Sequence, residues 1–374
     1  MNKKLYYFTP VPPSEKGISA SAKVFEHKRL FEKAGFSVEV VNSLSWKQRL
    51  KNRLNISKVE NFLNYHHVLD NSCLYIRYNI NDNFLFKQLK EIKKNKKNIK
   101  IAVEIPTYPY DGELKSHHFI KKIHNNVRLA KDRSIREELF KYVDRIVTFS
   151  DDKKIWNIKT INISNSVNTE KITRRKITLE NDKSINLIAV ASIRFWHGYD
   201  RLIRGLGEYY RKESNPRKIK LFIIGDGEKE VLQSYKKLIK SYGLEDKVIM
   251  TGPKLGGALD KYYNLCNLGV DTLGRFRTGV NYNSTLKGKE YLAKGLPIIS
   301  GVKTELDNRK DFKYYYRVPA DNTPINIENI INFYDKVYRD QKEEQVANEI
   351  RKFCENNYNF DINFQPVIEW YKRD

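Results

Sequence analysis

The chain has 374 residues and a formal net charge of +24, from 69 lysines and arginines against 45 aspartates and glutamates. No uncharged apolar run is long enough for a membrane-spanning helix, and three widely spaced cysteines do not match a disulfide framework or a zinc site. Because single cores stop growing near about 250–300 residues, we expect two domains. The apolar stretch near the amino terminus is too short for a signal peptide, so we expect a cytoplasmic protein.

Strand-like and helix-like segments alternate through the first half of the chain. Strands are predicted at "KLYYFTP", "FSVEVVN", "CLYIRYN", "IKIAVEIP" and "RIVTFS", and helices at "SASAKVFEHKRLFEKAG" and "NFLFKQLKEIKKNKKN". Continuous β-branched runs separated by helices indicate a parallel sheet covered on both faces. We interpret the lysine cluster from Lys93 to Lys100 as a solvated helix end, with a nucleic-acid patch as the alternative.

The same alternation restarts after an aperiodic, charged stretch, "TRRKITLENDKS". Strands are predicted at "INLIAVAS", "KIKLFIIGDG", "KVIMTGP", "NLGVDTL" and "LPIISG", with helices between them. We therefore predict an α/β protein with two doubly wound Rossmann-like domains that face a cleft, where ligands bind at the carboxyl ends of the strands. The predicted domains are 1–168 and 169–350. The apolar residues of the tail, 351–374, need a packing partner, and a return to the first domain would supply one.

Two segments of the second half suggest a phosphate-binding site. Gly225 and Gly227 flank Asp226 directly after an apolar strand, which suits close approach of a ligand but also suits a plain tight turn. In "NYNSTLKGKE", Ser284 and Thr285 are good N-cap residues for the following helix.

A helix start of this kind favours a diphosphate, and a lysine in the first turn is unusual there unless an anion binds. Lys287 occupies that position, and the alternative is that it points into solvent. Glu290 follows on a neighbouring part of the same helix face, where it can accept hydrogen bonds from a ribose.

Four segments in order over about residues 190–301 resemble one known family: "ASIRFWHGYDRLIRGL", "LFIIGDGE", "GLEDKVIMTGP" and "KEYLAKGLPIISG". They resemble the carboxyl domain of retaining, family-4-like glycosyltransferases of the GT-B fold (glycosyl transferases group 1). In the first half, "EIPTYPYDGE" resembles members of the bacterial capsule and exopolysaccharide type. The resemblance implies that Glu290 binds the donor ribose. It also implies a set of donor-binding positions: Gly17, Gly225, Asp226, Gly227, Gly252, Pro253, Ser284, Thr285 and Lys287.

The sequence departs from the family pattern at three places. Tyr282 stands where the family has the first glutamate of its pair. The arginine and lysine that hold the donor phosphates in the family fall on Ser192 and His197. Arg194, two residues away, is a candidate substitute for the arginine, and His197 can donate a hydrogen bond to phosphate.

The resemblance implies transfer of a sugar from a nucleotide sugar, with a UDP-sugar expected, to a lipid-linked saccharide in cell-surface polysaccharide synthesis. No metal or other cofactor is expected. Asp111, in the loop after a strand that ends near Glu104, is the candidate catalytic base, although it is also compatible with an ordinary polar loop. Lys287 and Glu290 complete the catalytic set. His117 and His118 are weaker candidates.

Three other functions are compatible with parts of the sequence. A sugar-nucleotide epimerase shares the fold, and a non-catalytic sugar-nucleotide-binding partner would explain Tyr282. A nucleic-acid-binding protein would explain the charge, but the cations are spread along the chain without stacking aromatics. An AT-rich genome also favours lysine codons, so base composition is an alternative explanation of the charge.

The charge and the helix-like "LSWKQRLKNRL" suggest peripheral docking on the anionic inner face of the cell membrane.

Overall fold

The computed structural model describes residues 3–10, 13, 20–42, 65–78, 83–114, 119–177 and 184–373. The chain forms two compact units: unit 1 comprises Met1–Ser164 with Phe360–Asp374, and unit 2 comprises Asn165–Asn359. The divisions therefore fall at 164/165 and 359/360, whereas the predicted domain limits were 168/169 and 350/351. The prediction of two α/β domains built on parallel strands is confirmed.

Unit 1 contains a seven-stranded sheet in the order β2-β1-β3-β4-β5-β7-β6. All of its pairs are parallel except the hairpin of the last two strands. The strands are β1 (Lys4–Thr9), β2 (Ser37–Asn42), β3 (Cys73–Arg77), β4 (Lys100–Ile105), β5 (Arg145–Thr148), β6 (Lys154–Ile155) and β7 (Ile158–Asn162). Apolar residues fill the strand interiors, as a sheet covered on both faces requires.

Five helices of unit 1 lie within the described residues. They are α1 (Ala20–Lys33), α2 (Asn83–Asn95), α3 (Phe119–Glu138), and α10 (Phe360–Asn363) and α11 (Gln365–Lys372), which are formed by the tail. The tail residues Phe364, Val367 and Tyr371 belong to the same buried cluster as Tyr7 of β1. The hydroxyl of Tyr371 donates to the carbonyl of Leu74 at 2.6 Å, so the tail is part of the unit 1 core.

Unit 2 contains a six-stranded, fully parallel sheet in the order β10-β9-β8-β11-β12-β13. The strands are β8 (Ile185–Val190), β9 (Ile219–Ile224), β10 (Val248–Gly252), β11 (Leu268–Val270), β12 (Ile298–Ser300) and β13 (Tyr315–Arg317). The chain begins in the middle, moves outward to β10, and then returns to the other side of β8. The order reverses between β8 and β11, and such a reversal point is where doubly wound sheets bind ligands.

Six helices of unit 2 lie within the described residues: α4 (Tyr199–Lys212), α5 (Lys229–Tyr242), α6 (Gly257–Leu265), α7 (Leu286–Lys294), α8 (Ile327–Tyr338) and α9 (Glu343–Asn357). The helix α7 ends at Gly295, whose φ of 77° is the left-handed conformation of a helix C-cap. Its amide then donates back to Leu292 at 3.0 Å. The chain turns directly from this cap into β12, which places α7 against the reversal point of the sheet.

Candidate functional site

The last residues of β8 and β11 are joined by a side chain of α7. These strands pair only at Leu187 with Leu268 and at Ile188 with Gly269. Beyond that pairing, the hydroxyl of Tyr291 accepts from the amide of Val190 at 3.0 Å and donates to the carbonyl of Val270 at 3.1 Å. The hydroxyl therefore satisfies backbone groups that separate at the reversal point, and it fixes α7 there.

The start of α7 is bonded to the residue that follows β11. Thr285 is the N-cap, and its hydroxyl accepts from the amide of Gly288 at 3.1 Å and donates to Asp271 Oδ2 at 2.6 Å. The hydroxyl of Ser284 accepts from the amide of Asn165 at 2.9 Å. Both predicted N-cap side chains therefore have partners within unit 2, and the cap itself is Thr285.

Lys287 bends toward the carboxyl end of β11. Its ammonium donates to Thr272 Oγ1 at 2.9 Å and lies 3.7 Å from Asp271 Oδ1, and its side chain is only 22% exposed. Burial lowers the pKa of Lys287, Asp271 opposes this shift, and Arg275 adds to it. Lys287 is thus held beside the reversal point by Thr272 and Asp271 and does not extend into solvent.

His197 lies at the end of a short 3-10 helix, Phe195–His197, that follows β8. Its Nδ1 accepts from the amide of Arg194 at 2.8 Å, which leaves the proton of the neutral ring on Nε2 as a donor. Burial, with the nearby charges of Lys287 and Arg275, lowers the pKa of His197 well below its ordinary value. A neutral donor therefore stands where the resemblance had suggested a lysine.

Arg275 is a cation of this site that the sequence had not singled out. It begins the short helix Arg275–Thr278 after β11, and its guanidinium carbon lies 5.5 Å from the ring centre of Trp196. Trp196 precedes His197, and the amide of Leu273, two residues before Arg275, donates to the carbonyl of His197 at 2.8 Å, so Arg275 belongs to the same loop contact. Its charge lowers the pKa of both His197 and Lys287. In the sequence, the indication of a site residue was the position of Arg275 just after the strand β11. The strand order of the sheet is needed to show that β11 lies beside β8.

Arg194, the predicted substitute, is placed differently. Its Nη1 lies 3.8 Å from Glu228 Oε1, and 39% of its side chain is exposed. The ion pair therefore points it toward the start of α5. Arg194 contacts the reversal point through its backbone amide, which donates to Nδ1 of His197.

Glu290 is half-buried on α7. Its Oε1 accepts from the hydroxyl of Tyr263, on α6, at 2.8 Å. Burial raises the pKa of Glu290, and the hydrogen bond from Tyr263 partly offsets this. The structure thus fixes one carboxylate oxygen through protein contacts.

The loop Gly225 to Gly227 packs against the loop that follows β8. A Cβ at Gly225 would lie 1.9 Å from the carbonyl oxygen of Ala191, and one at Gly227 would lie 2.0 Å from that of Ile193. The carboxylate of Asp226 is exposed, and its Oδ1 accepts from the amide of Gly227 at 2.8 Å. These glycines are therefore required for contact between two loops.

Gly252 and Tyr282 lie on opposite sides of the reversal point, Gly252 at the end of the edge strand β10 and Tyr282 beside the chain that follows β12. Gly252 has a φ of 70° with open space where a Cβ would be, and Pro253 after it is exposed. Tyr282 forms a parallel bridge with Lys303, beyond β12, and precedes α7. It is thus held outside the helix that bears Glu290.

Asp111, in unit 1, is engaged by two arginines of α3. Arg136 Nη1 donates to Oδ1 at 2.7 Å, and Arg133 Nη2 donates to Oδ2 at 3.0 Å. Hydrogen bonds from Arg136, followed by those from Arg133, lower the pKa of Asp111. A carboxylate held in this way is weakly basic, and its role as a base stays a prediction.

Three other residues singled out in the sequence, Gly17, His117 and His118, lie outside the described residues.

Glu104 lies at the carboxyl end of β4 inside a buried polar cluster. It accepts from the hydroxyl of Tyr75 at 2.6 Å and from Arg77 at 2.5 Å, and the ammonium of Lys23 is 3.4 Å away. Burial alone would raise the pKa of Glu104, but Lys23 and Arg77 lower it below its ordinary value. This carboxylate is therefore an internal counter-ion.

Among the residues that the structure describes, no group of three or more His, Cys, Asp and Glu side chains is arranged to hold a metal ion. Within the same ranges, no helix has the length and apolar character needed to cross a bilayer.

The sequence of unit 2 matches a known family over part of its length. Residues 170–272 match the model of the family described as Glycosyl transferases group 1. This part of unit 2 is therefore similar to that family. The matched segment includes His197, Asp271 and Thr272, and it ends before Arg275 and Lys287. A search of curated proteins found no match.

Solved structures of glycosyltransferases resemble the whole chain. A glycosyltransferase from Rickettsia africae has a TM-score of 0.62 at 13% identity, covering 100% of this chain and 98% of that one. A sucrose-phosphate synthase from Thermosynechococcus elongatus has a TM-score of 0.64 at 13% identity, covering 99% and 98%. HepE from Anabaena, in complex with UDP-glucose, has a TM-score of 0.60 at 13% identity, covering 99% and 100%. At this identity the likeness shows the fold, GT-B.

Proposed function

We propose that the protein is a glycosyltransferase that moves a sugar from a nucleotide sugar to a saccharide acceptor. The main support is the cluster formed by Lys287, Arg275 and His197 at the reversal point of the unit 2 sheet. Two cations and a neutral imidazole donor converge there from three elements, next to the amino-terminal end of α7. Such a cluster suits a diphosphate, and the match of residues 170–272 to the Glycosyl transferases group 1 model supports the same reading.

The cluster would act on the leaving group. When the bond between the sugar and the diphosphate breaks, negative charge grows on the departing phosphate. Lys287 and Arg275 would stabilise that charge more strongly in the transition state than in the ground state, and His197 would add one hydrogen bond. The partly buried position of Lys287 increases the effect, because electrostatic interactions are stronger where water is scarce.

We infer that the donor is a UDP-sugar. HepE, which has the same fold, has been solved with UDP-glucose. In this chain, Glu290 has one oxygen bonded to Tyr263, and the second would accept from the ribose hydroxyls. The hydroxyl of Tyr263 would then hold the carboxylate in position.

We propose three further features of the reaction. Metal-independent transfer is supported by the two cations, which supply the positive charge that a metal ion supplies elsewhere. Retention of configuration rests on the family resemblance, with Tyr282 in the position of a family glutamate. Asp111 would deprotonate the acceptor only after release from Arg136 and Arg133.

The proposed acceptor is a lipid-linked saccharide used for capsule or exopolysaccharide synthesis at the inner face of the cell membrane. The net charge of +24 supports peripheral docking on an anionic surface. The helix-like segment "LSWKQRLKNRL", which was a candidate for that contact, lies outside the described residues.

The test is a transfer assay with radiolabelled UDP-, GDP- and CMP-sugars and a bacterial membrane lipid extract as the acceptor source. We expect label from one UDP-sugar to enter the lipid fraction. Glu290→Gln should reduce the rate at least about tenfold, since a hydrogen bond to a charged group contributes about 1.5–3 kcal/mol. Glu245→Gln, at an exposed carboxylate in the turn before β10, is the control and should retain activity. Binding of a UDP-sugar without transfer would instead favour a non-catalytic sugar-nucleotide-binding protein.

A further inference from the structure

A cavity of about 560 Å³ lies at the amino-terminal edge of the unit 1 sheet. Its lining comes from residues that precede or begin β1, β3, β4 and β5, and from the last helix, α11. This edge is opposite to the carboxyl ends of the strands, where Asp111 and Glu104 lie. The lining includes Lys3, Asn71, Asn98, Lys100, Arg145 and Trp370.

The cavity has an excess of positive charge. Among the residues that the structure describes, Lys3, Lys100 and Arg145 have no ion-pair partner. The one acidic side chain of the lining, Asp144, is already neutralised: Lys93 Nζ lies 3.0 Å from its carboxylate, and the amide of Ile101 donates to it at 2.7 Å. The three cations are therefore available to an anionic ligand.

Trp370 forms an apolar wall beside two of these cations. Lys100 Nζ and Arg145 Cζ each lie 5.9 Å from the centre of its ring. Arg145 uses one N–H on the backbone carbonyl of Asp144 at 2.6 Å. Contact with an aromatic face leaves the remaining N–H donors of both groups free to bind oxygen atoms of a ligand.

Two asparagines fix the rim of the cavity. Asn71 and Asn98 have left-handed φ angles of 56° and 53°, which asparagine adopts more readily than most residues. The side-chain amide of Asn98 donates to Asn71 Oδ1 at 2.9 Å. This bond joins the turns before β3 and β4, so the rim of the cavity is held in place by a hydrogen bond between two turns of the sheet edge.

We propose that this cavity binds a phosphate ester, with the phosphate beside Lys100 and Arg145 and the organic part against Trp370. Arginine and lysine are the usual phosphate-binding side chains, and the volume lies in the range of about 300–1,000 Å³ found for small-molecule sites. A bare phosphate would leave most of that volume empty. The ester can come from the headgroup of an anionic phospholipid or from a soluble metabolite, and the experiment separates these sources.

The proposal also gives a role to the lysine-rich segment from Lys93 to Lys100. Lys93 neutralises Asp144, and Lys100 lines the cavity. Lys94 and Lys97 are exposed nearby in sequence and extend the positive charge outward. The segment is therefore more than a solvated helix end.

The test compares Lys100→Gln/Arg145→Gln with a control of equal charge change, Lys87→Gln/Lys90→Gln, at two exposed positions of α2 outside the lining. Binding is measured by co-sedimentation with vesicles of phosphatidylglycerol and phosphatidylcholine, and with phosphatidylcholine alone. In parallel, thermal shifts with glycerol 3-phosphate are recorded at constant ionic strength. The unfolding temperature without ligand verifies that each variant is folded.

We expect the wild type and the control to bind one probe and the cavity variant to lose roughly tenfold or more of that affinity. Loss on the anionic vesicles identifies a lipid source, and loss with glycerol 3-phosphate alone identifies a soluble one. Equal weakening in both double variants would mean diffuse charge attraction and would overturn the proposal. Absence of binding to either probe by the wild type would overturn it as well.

Discussion

His197 shows how burial changes the chemistry of one residue at the reversal point. An exposed histidine would be a switchable cation near neutral pH. Here the ring accepts a backbone amide on one nitrogen and lies close to Lys287 and Arg275, so it stays neutral. The sequence placed a histidine at this position but gave no sign of its burial, which depends on contacts with a loop more than 70 residues away, where the amide of Leu273 donates to the carbonyl of His197.

The neutral state of His197 predicts a pH dependence of stability. Its pKa in the folded protein lies well below the ordinary 6.5, so the unfolded chain binds more protons once the pH falls below about 6.5. The free energy of unfolding therefore decreases as the pH falls, by about 2 kcal/mol from this group at pH 5. His197→Asn keeps an acceptor near Nδ1 and does not titrate. Urea unfolding at pH 7 and pH 5 should show a decrease that is smaller by about that amount.

The control for this measurement is His124→Asn, at an exposed position of α3. It should leave the decrease between pH 7 and pH 5 unchanged. If His197→Asn shows the same decrease as the wild type, the buried imidazole is charged in the folded protein and the description of the site is wrong.

At the scale of elements, α7 joins the reversal point through its start and its middle. Thr285 caps its start and bonds Asp271, and Tyr291 bridges β8 and β11. Because these two contacts fix the helix at separate points, the position of Lys287 and Glu290 depends on both. Local changes at its start should therefore affect stability as well as ligand binding.

Thr285→Ala should lower the free energy of unfolding by at least about 1 kcal/mol, the usual effect of losing an N-cap side chain. The loss should be larger than this, because Asp271 also loses a buried hydrogen-bond donor at 2.6 Å. Thr285→Ser keeps the hydroxyl and should stay close to the wild type. Urea denaturation of the three proteins makes the comparison, and equal stability of the Ala and Ser variants would refute the capping role.

The two glycine positions give a second prediction at this scale. Gly225→Ala would place a Cβ 1.9 Å from the Ala191 carbonyl, whereas Gly252→Ala meets no atom within 4 Å. The second change should cost only the strain of a left-handed alanine, about 1–2 kcal/mol. The first should cost clearly more, as measured by the urea midpoint. Equal costs would show that the loops after β8 and β9 separate easily.

The alternation of apolar strands and amphipathic helices was sufficient to predict two parallel-sheet α/β units, because each buried strand has its own apolar run. Strand order is not encoded in that pattern. The placement of β11 beside β8 brings Arg275 and Lys287 to the side of the sheet where His197 lies, so the position of Arg275 just after β11 did not by itself identify it as a site residue. Likewise, the arginines that hold Asp111 come from α3, a helix without a predicted counterpart, so the engagement of this carboxylate was not foreseen.

At the scale of the whole molecule, unit 1 is completed by the last residues of the chain. The hydroxyl of Tyr371 donates to the carbonyl of Leu74 on β3 and accepts from the amide of Ala102 on β4 at 3.2 Å. Phe364 packs face to face on His27 of α1, with 4.0 Å between the ring centres. The stability of unit 1 therefore depends on a segment separated from the rest of that unit by the sequence of unit 2.

This dependence predicts a local effect of Tyr371→Phe. Loss of the hydroxyl leaves two backbone groups of the sheet without their buried partner, which should cost about 1–3 kcal/mol. Hydrogen exchange measured by mass spectrometry should increase at β3 and β4 and remain unchanged at β8 and β11. Tyr242→Phe, at the end of α5, is the matched control in unit 2. Increased exchange throughout both units would mean that the tail acts on the whole molecule.

The central claim is that Lys287 and Arg275 bind the diphosphate of a UDP-sugar at the reversal point of unit 2. The most direct test is titration calorimetry of UDP and uridine with the wild type, Lys287→Gln, Arg275→Gln and the exposed control Lys240→Gln. We predict that both site variants lose at least about tenfold in affinity for UDP and retain that for uridine, because a charge-assisted hydrogen bond contributes about 1.5–3 kcal/mol. The control should bind UDP as the wild type does. Unchanged UDP affinity in both site variants, or no binding of UDP by the folded wild type, would contradict the account.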